Sequence, residues 1–129
     1  MSDLFDDADL IYSYTRAQAI ADGVLVDVSA TAREAGIRYP VALACAAWAL
    51  SVGVPPRVER QDEAGRLWDV LWLLACAVRR GAAGPEVRFG VHVRNDNRDR
   101  NPPLVTLRGV CGPGDAGEPV ITVMAPDED

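Results

Sequence analysis

The chain has no lysine and a single histidine, His92, although thirteen arginines carry positive charge. A lysine nucleophile is thereby excluded, and no pair of histidines exists to share a proton or hold a metal. Cysteine is sparse as well: Cys45, Cys76 and Cys111 are odd in number, lie roughly 30 residues apart and form no close pair. They are expected as buried reduced thiols; closely spaced zinc ligands are absent, and a catalytic thiol paired with His92 is the lesser alternative. No apolar run reaches the roughly 18 residues of a membrane helix. The first ten residues (MSDLFDDADL) are acidic, the opposite of a secretion signal, so a cytoplasmic protein is expected.

What remains is a chain of 129 residues with 49% hydrophobic and 25% charged content, which suits one folded domain with its own core. The net charge of −6 is unevenly placed. Asp3, Asp6, Asp7 and Asp9 at one end and Asp127, Glu128 and Asp129 at the other account for the excess. Between residues 79 and 108, seven arginines face only Glu86, Asp96 and Asp99, a local balance of +4. The overall charge opposes non-specific DNA binding, while the basic section leaves nucleic acid as an unfavoured alternative.

Local signals give an order of elements. LIYSY (10–14) reads as a short strand, and Thr15 with Gln18 forms a capping-box pattern for a short helix that Gly23 can close. VLVDV (24–28) reads as extended. Thr31 and Glu34 repeat the capping device, with Gly36 as the stop. Pro40 suits a first helical turn, and the apolar run Val41–Val52 is expected to be one helix ending at Gly53. Asp62 caps the next helix, roughly 63–80, in which Leu67, Val70, Leu71, Leu74 and Val78 follow helical spacing. Trp68, Trp72 and Leu73 widen that arc, beyond what one small sheet can cover, so a homodimer is open.

After Gly81 the period becomes two. Val87, Phe89, Val91 and Val93 share one face, and Arg88, Gly90, His92 and Arg94 the other. LVTLRGV (104–110) and PVITVM (119–124) follow, joined by a glycine-rich loop. The expected fold is α+β: an acidic tail (1–9), a mainly helical part (10–81) with two short and two longer helices, a three-stranded antiparallel meander (86–125) and a second acidic tail (126–129).

Few residues invite chemistry. The loop Gly112–Glu118 resembles a phosphate cradle only in its glycines; it has no lysine and leads into a strand, so a hairpin turn is the expected role. His92 sits on the polar side of its strand, and Asp62, Glu63 and Asp69 are expected to cap a helix and to pair with Arg66 at i, i+3. If the protein were an enzyme on a nucleotide or phosphate-bearing substrate, Tyr14, His92, Asp115 and Glu118 would be its candidate catalytic residues and should converge on one pocket. The binding candidates are Arg88, Arg94, Arg98, Arg100 and Arg108, expected as one patch spanning a sheet face and a loop, with Asp96 and Asp99 as ion-pair partners. No exposed aromatic accompanies that patch in sequence, which weakens an RNA reading. No metal ligand set and no cofactor is indicated.

Three stretches carry a resemblance: IYSYTRAQAIADGVLVDVS (11–29), QDEAGRLWDVLW (61–72) and VCGPGDAGEPVITVMAPDED (110–129). Together they resemble a small family of uncharacterised bacterial proteins borne by phages, plasmids and integrated elements, over essentially the whole chain. The resemblance implies no activity or cofactor. It implies a setting, in which small acidic proteins of mobile elements modulate host nucleic-acid machinery. The expected function is therefore non-enzymatic binding of a host or element-encoded protein, in its sharper form inhibition of a host defence complex.

Overall fold

The computed structural model describes residues 14–81 and 84–128, which form a mixed α+β domain with four helices and a five-stranded sheet. In chain order these are α1 (Arg16–Ala21), β1 (Leu25–Asp27), α2 (Ser29–Glu34), β2 (Val41–Ala44), α3 (Cys45–Ser51), α4 (Glu63–Arg79), β3 (Glu86–His92), β4 (Leu104–Pro113) and β5 (Pro119–Met124). The strand order is β1-β2-β5-β4-β3.

The expected meander β3–β4–β5 is present and antiparallel throughout. It is only part of the sheet. β2 lies parallel to β5, with Val41 opposite Ile121, and β1 pairs antiparallel with β2. The helix-first layout is therefore corrected: the N-terminal half contributes two strands to the same sheet. Val41–Val52 is likewise not one helix. It divides into β2, buried at all four residues, and the seven-residue α3. A uniformly apolar run carries no periodicity, so only its neighbours decide its conformation. Here the parallel contact with β5 does so, beginning with the Ile121 N–H that donates to Pro40 O at 2.9 Å.

The first capping box forms as the sequence requires: Gln18 N–H donates to the Thr15 hydroxyl and Thr15 N–H to the Gln18 side chain. The second does not. α2 begins at Ser29, two residues before Thr31, and its N-cap Val28 makes no side-chain capping bond. Asp27 Oδ1 accepts from both the N–H and the hydroxyl of Ser29, and the hydroxyl in turn accepts from Val41 N–H. That tie to β2 starts the helix early. Residues 10–13 of the strand expected at LIYSY, and the N-terminal acidic tail, lie outside the described residues.

The core lies between one sheet face and helices α2, α3 and α4. Leu43, Leu107, Ile121 and Val123 meet Val70, Leu71 and Leu74 there. Gly109 on β4 makes this contact close, because a Cβ at that position would stand 2.8 Å from Leu74 Cδ1 and 3.3 Å from Val87 Cγ2. Gly109→Ala is expected to cost about 1 kcal/mol through overpacking, read as a lower midpoint in urea unfolding. An unchanged midpoint would show that Leu74 yields freely.

The thiols depart from expectation. Cys45 is exposed at the first turn of α3, with its Sγ 2.7 Å from Gly23 O, while Cys76 and Cys111 are half-buried, and all three are free. The split of residues 41–52 moves Cys45 from a helix interior to a helix start, out of the core. No helix among the described residues is long and apolar enough to cross a membrane.

Candidate interaction surface

α4 follows from its sequence most directly. Asp62 Oδ1 accepts from Gly65 N–H at 2.5 Å, and the periodic Val70, Leu71 and Leu74 are buried. The aromatic residues that widen the apolar arc stay largely outside: Trp68 is 38% and Trp72 44% exposed. Four residues apart, the two indoles stack, with ring centroids 6.1 Å apart and planes inclined by 21°. About two turns further on, the Arg79 guanidinium lies 5.7 Å from the centroid of Trp72. A second tie holds it, since its Nη2 donates to Ala35 O at 3.4 Å. Gly36 serves this arrangement in two ways: its φ is +97°, and a Cβ there would meet Arg79 Nη2 at 2.6 Å. The surface continues into a groove of about 240 Å³ lined by Tyr39, Val78 and Arg79. Tyr39 is 48% exposed. This is a pre-ordered, exposed aromatic and arginine surface.

Arg66 lies on the opposite side of the same helix and is buried. The expected pair with Asp69 does not form. Arg66 instead donates to Gly53 O at 2.8 Å, to Gln61 Oε1 at 3.1 Å and to Arg94 O. Burial lowers its pKa. The helical spacing is favourable for an ion pair, but three acceptors from two loops surround the guanidinium from the core side and outcompete one solvated carboxylate.

The expected single arginine patch divides. Arg88 and Arg108 face each other across β3 and β4, with Glu86 near both, at 3.9 Å from Arg88 and 3.3 Å from Arg108. The Arg108 Nε–H is not directed at the Glu86 oxygen, so that contact is Coulombic without a hydrogen bond. Arg108 also donates to Glu128 O, and Glu128 Oε1 accepts from Ala125 N–H at 2.6 Å. Thus Glu128, expected in an acidic tail, is docked on the sheet. The second group belongs to the loop after β3. Arg94 donates to Arg98 O and Arg100 O, and Arg100 pairs with Asp96 at 2.7 Å. The Arg98 backbone N–H, then Arg100, hold the Asp96 carboxyl below its usual range. Asp99 makes no ion pair among the described residues, and with Arg60, Arg94 and Arg98 it borders a polar cleft of about 500 Å³. The two groups stand apart because a strand rises about 3.3 Å per residue, which puts Arg94 about 20 Å from Arg88.

The four candidate catalytic residues do not meet. Asp115 Oδ1 and Oδ2 accept from the backbone N–H groups of Arg16 and Ala17 at 2.8 and 3.0 Å. A residue of the β4–β5 hairpin thus caps α1 across 99 positions of sequence. Beside it, Arg16 donates to Thr122 Oγ1 and Ile121 O. Glu118 folds back into its own turn, accepting from Ala116 N–H at 3.1 Å. Asp115 and Glu118 do share a shallow cleft with Arg16. Tyr14 is tied to Asp22 at 2.7 Å, a bond that raises its pKa. His92 Nδ1 lies 3.0 Å from Pro102 O, beside Leu104 at the other end of β4. The glycine-rich loop is a hairpin turn, with Gly117 at φ +82°. Among the described residues no group of three or more His, Cys, Asp or Glu side chains could hold a metal.

Asp115 supplies a pH test. The N–H of Ala17, then that of Arg16, hold its carboxyl below the usual 3.8. A depressed folded-state pKa means that the stabilisation is present above the unfolded value, near pH 4, and is lost as pH falls through the folded one. Asp115→Asn is expected to melt at lower temperature than the parent at pH 7, and the difference should shrink toward pH 3. A difference that persists at low pH would mean that the charge contributes nothing.

The chain belongs to a family described as "Family of unknown function (DUF6573)", whose family model matches residues 1–129. No curated protein and no solved structure matches it.

Proposed function

We propose that this protein is a non-enzymatic binding module that contacts a protein partner through the α4 surface formed by Trp68, Trp72, Arg79 and Tyr39. The observation that carries the reading is the stacked, exposed tryptophan pair with an arginine on one ring. Tryptophan, tyrosine and arginine dominate binding energy at protein interfaces, because they bring large area at low entropic cost. Here stacking and the Ala35 tie fix the side chains beforehand, so less ordering remains to be done on association. The partner expected from the resemblance is a host or element-encoded protein, and the sharper form is inhibition of a host nucleic-acid defence complex.

The enzyme reading needed Tyr14, His92, Asp115 and Glu118 in one pocket, and the separation of His92 from the others removes its support. Nucleic-acid binding remains the second reading, favoured by the polar cleft beside Arg60, Arg94 and Arg98. Capture from lysate of the native host, with and without nuclease, separates the two. A protein retained after nuclease and lost with Trp68→Ala/Trp72→Ala supports the proposal. Capture that disappears with nuclease, or is indifferent to both tryptophans, overturns it.

A further inference from the structure

The two edges of the sheet are unlike. β1 is three residues long, short enough to offer little to another strand, whereas β3 runs for seven and, among the described residues, pairs only with β4. Residue parity shows which groups β3 leaves open. Val93 N–H donates to Pro103 O and Cys111 N–H to Pro85 O, so the odd-numbered residues of β3 form the hydrogen-bonded pairs with β4. The N–H and C=O groups of Glu86, Arg88, Gly90 and His92 therefore point outward, and among the described residues nothing pairs with them.

We infer that this edge is a self-association site, at which β3 of a second copy pairs antiparallel about a two-fold axis at Gly90. A symmetric antiparallel pair needs outward-pointing residues opposite one another, and this register supplies them. Gly90 meets Gly90 and Arg88 meets His92, while Glu86 comes opposite the start of the loop after β3, where Arg94 is held by Arg66 and by its own loop. A Cβ on Gly90 would come within 2.8 Å of Cδ1 of the exposed Leu104, which would have to move aside.

The helix layer is self-complementary in the same sense. α4 rests on β3, so the α4 of a second copy lies alongside it, antiparallel, on the same face of a ten-stranded sheet. Ala77 and Arg80 face the edge, bordering a recess with Glu86 and Arg88. Asp69, Leu73, Ala77 and Arg80 follow at helical spacing, giving a stripe with an acid at one end and a base at the other. Antiparallel pairing sets Asp69 of each copy opposite Arg80 of the other. Charge complementarity in the helix layer selects a second copy over an unrelated strand. Both Trp68/Trp72 pairs then lie on one side of the assembly.

Sedimentation velocity tests the assignment. The parent is expected at twice the 13.9 kDa chain mass. Arg88→Pro should be monomeric, because proline removes an outward N–H while leaving the β3–β4 ladder intact, and Arg88→Ala should remain dimeric. Should Arg88→Pro fail to fold by circular dichroism, charge exchange decides. Asp69→Arg and Arg80→Asp should each weaken association about threefold to tenfold, and the double variant should restore it to within about twofold. Residues 69 and 80 of one copy lie about 16 Å apart along the helix axis, so such rescue requires contact between copies. A parent that stays at 13.9 kDa at its highest soluble concentration, a folded Arg88→Pro dimer, or singles without rescue would overturn the inference.

Discussion

Arg66→Met is expected to lower folding stability by about 2 kcal/mol, or roughly 8 °C in melting temperature for a domain of this size. The methionine keeps the aliphatic stem and removes all donors. Gly53 O and Arg94 O then lose the charged partner that joins the loop before α4 and the end of β3 to the helix. Hydrogen bonds to a charged group contribute about 1.5–3 kcal/mol each. The sum is offset in part, because the guanidinium is no longer held out of water, a cost visible in the lowered pKa of Arg66. Arg66→Lys should recover only part of the loss, since an ammonium on a flexible stem cannot match three acceptors around a planar fork. Urea unfolding of the three proteins gives the ranking. A methionine variant as stable as the parent would show that water replaces the lost donors without penalty.

The second large effect concerns binding. With the partner in hand, Trp72→Ala should weaken affinity about 30-fold or more, corresponding to a hot-spot loss of about 2 kcal/mol. Trp68→Ala should cost less alone. Its effect should not add to that of Trp72→Ala, because each ring orders the other by stacking and the double variant loses that term once. Arg79→Ala should resemble a weaker Trp72 variant, as it removes the guanidinium from the ring and leaves Ala35 O without a donor. Both tryptophans are well exposed, so the variants should stay folded, with a stability loss of about 1 kcal/mol. Titration calorimetry gives the affinities and thermal melts the control. Affinities within twofold of the parent would remove the α4 surface from the interface.

The candidate site was only partly legible. The spacing of Leu67, Val70, Leu71 and Leu74 located α4 and its buried side, and the same spacing put Trp68 and Trp72 off that stripe. Excess apolar width was the available signal of an exposed surface. The placement of Arg79 and the role of Gly36 depend on α2 lying beside α4, a contact with no local signature. The arginine section misled for a related reason. Closeness in sequence suggested one patch, yet an extended strand separates Arg88 from Arg94 farther than a helix would, and Arg94 turns to its own loop.

The sequence by itself determined whatever rests on neighbours within one turn or one strand. That includes the Thr15 capping box, the Asp62 cap, the two-residue alternation of β3 and the glycine turn between β4 and β5. Each is a bond or a face set by residues at most a few positions apart. Tertiary structure alone decided that Val41–Ala44 is a central strand, that Asp115 caps α1, and that Arg66 binds two loops instead of Asp69. In each case the local preference is weak or shared between alternatives. The outcome follows from a partner tens of residues away that supplies a hydrogen bond, or removes water, only once the chain has folded.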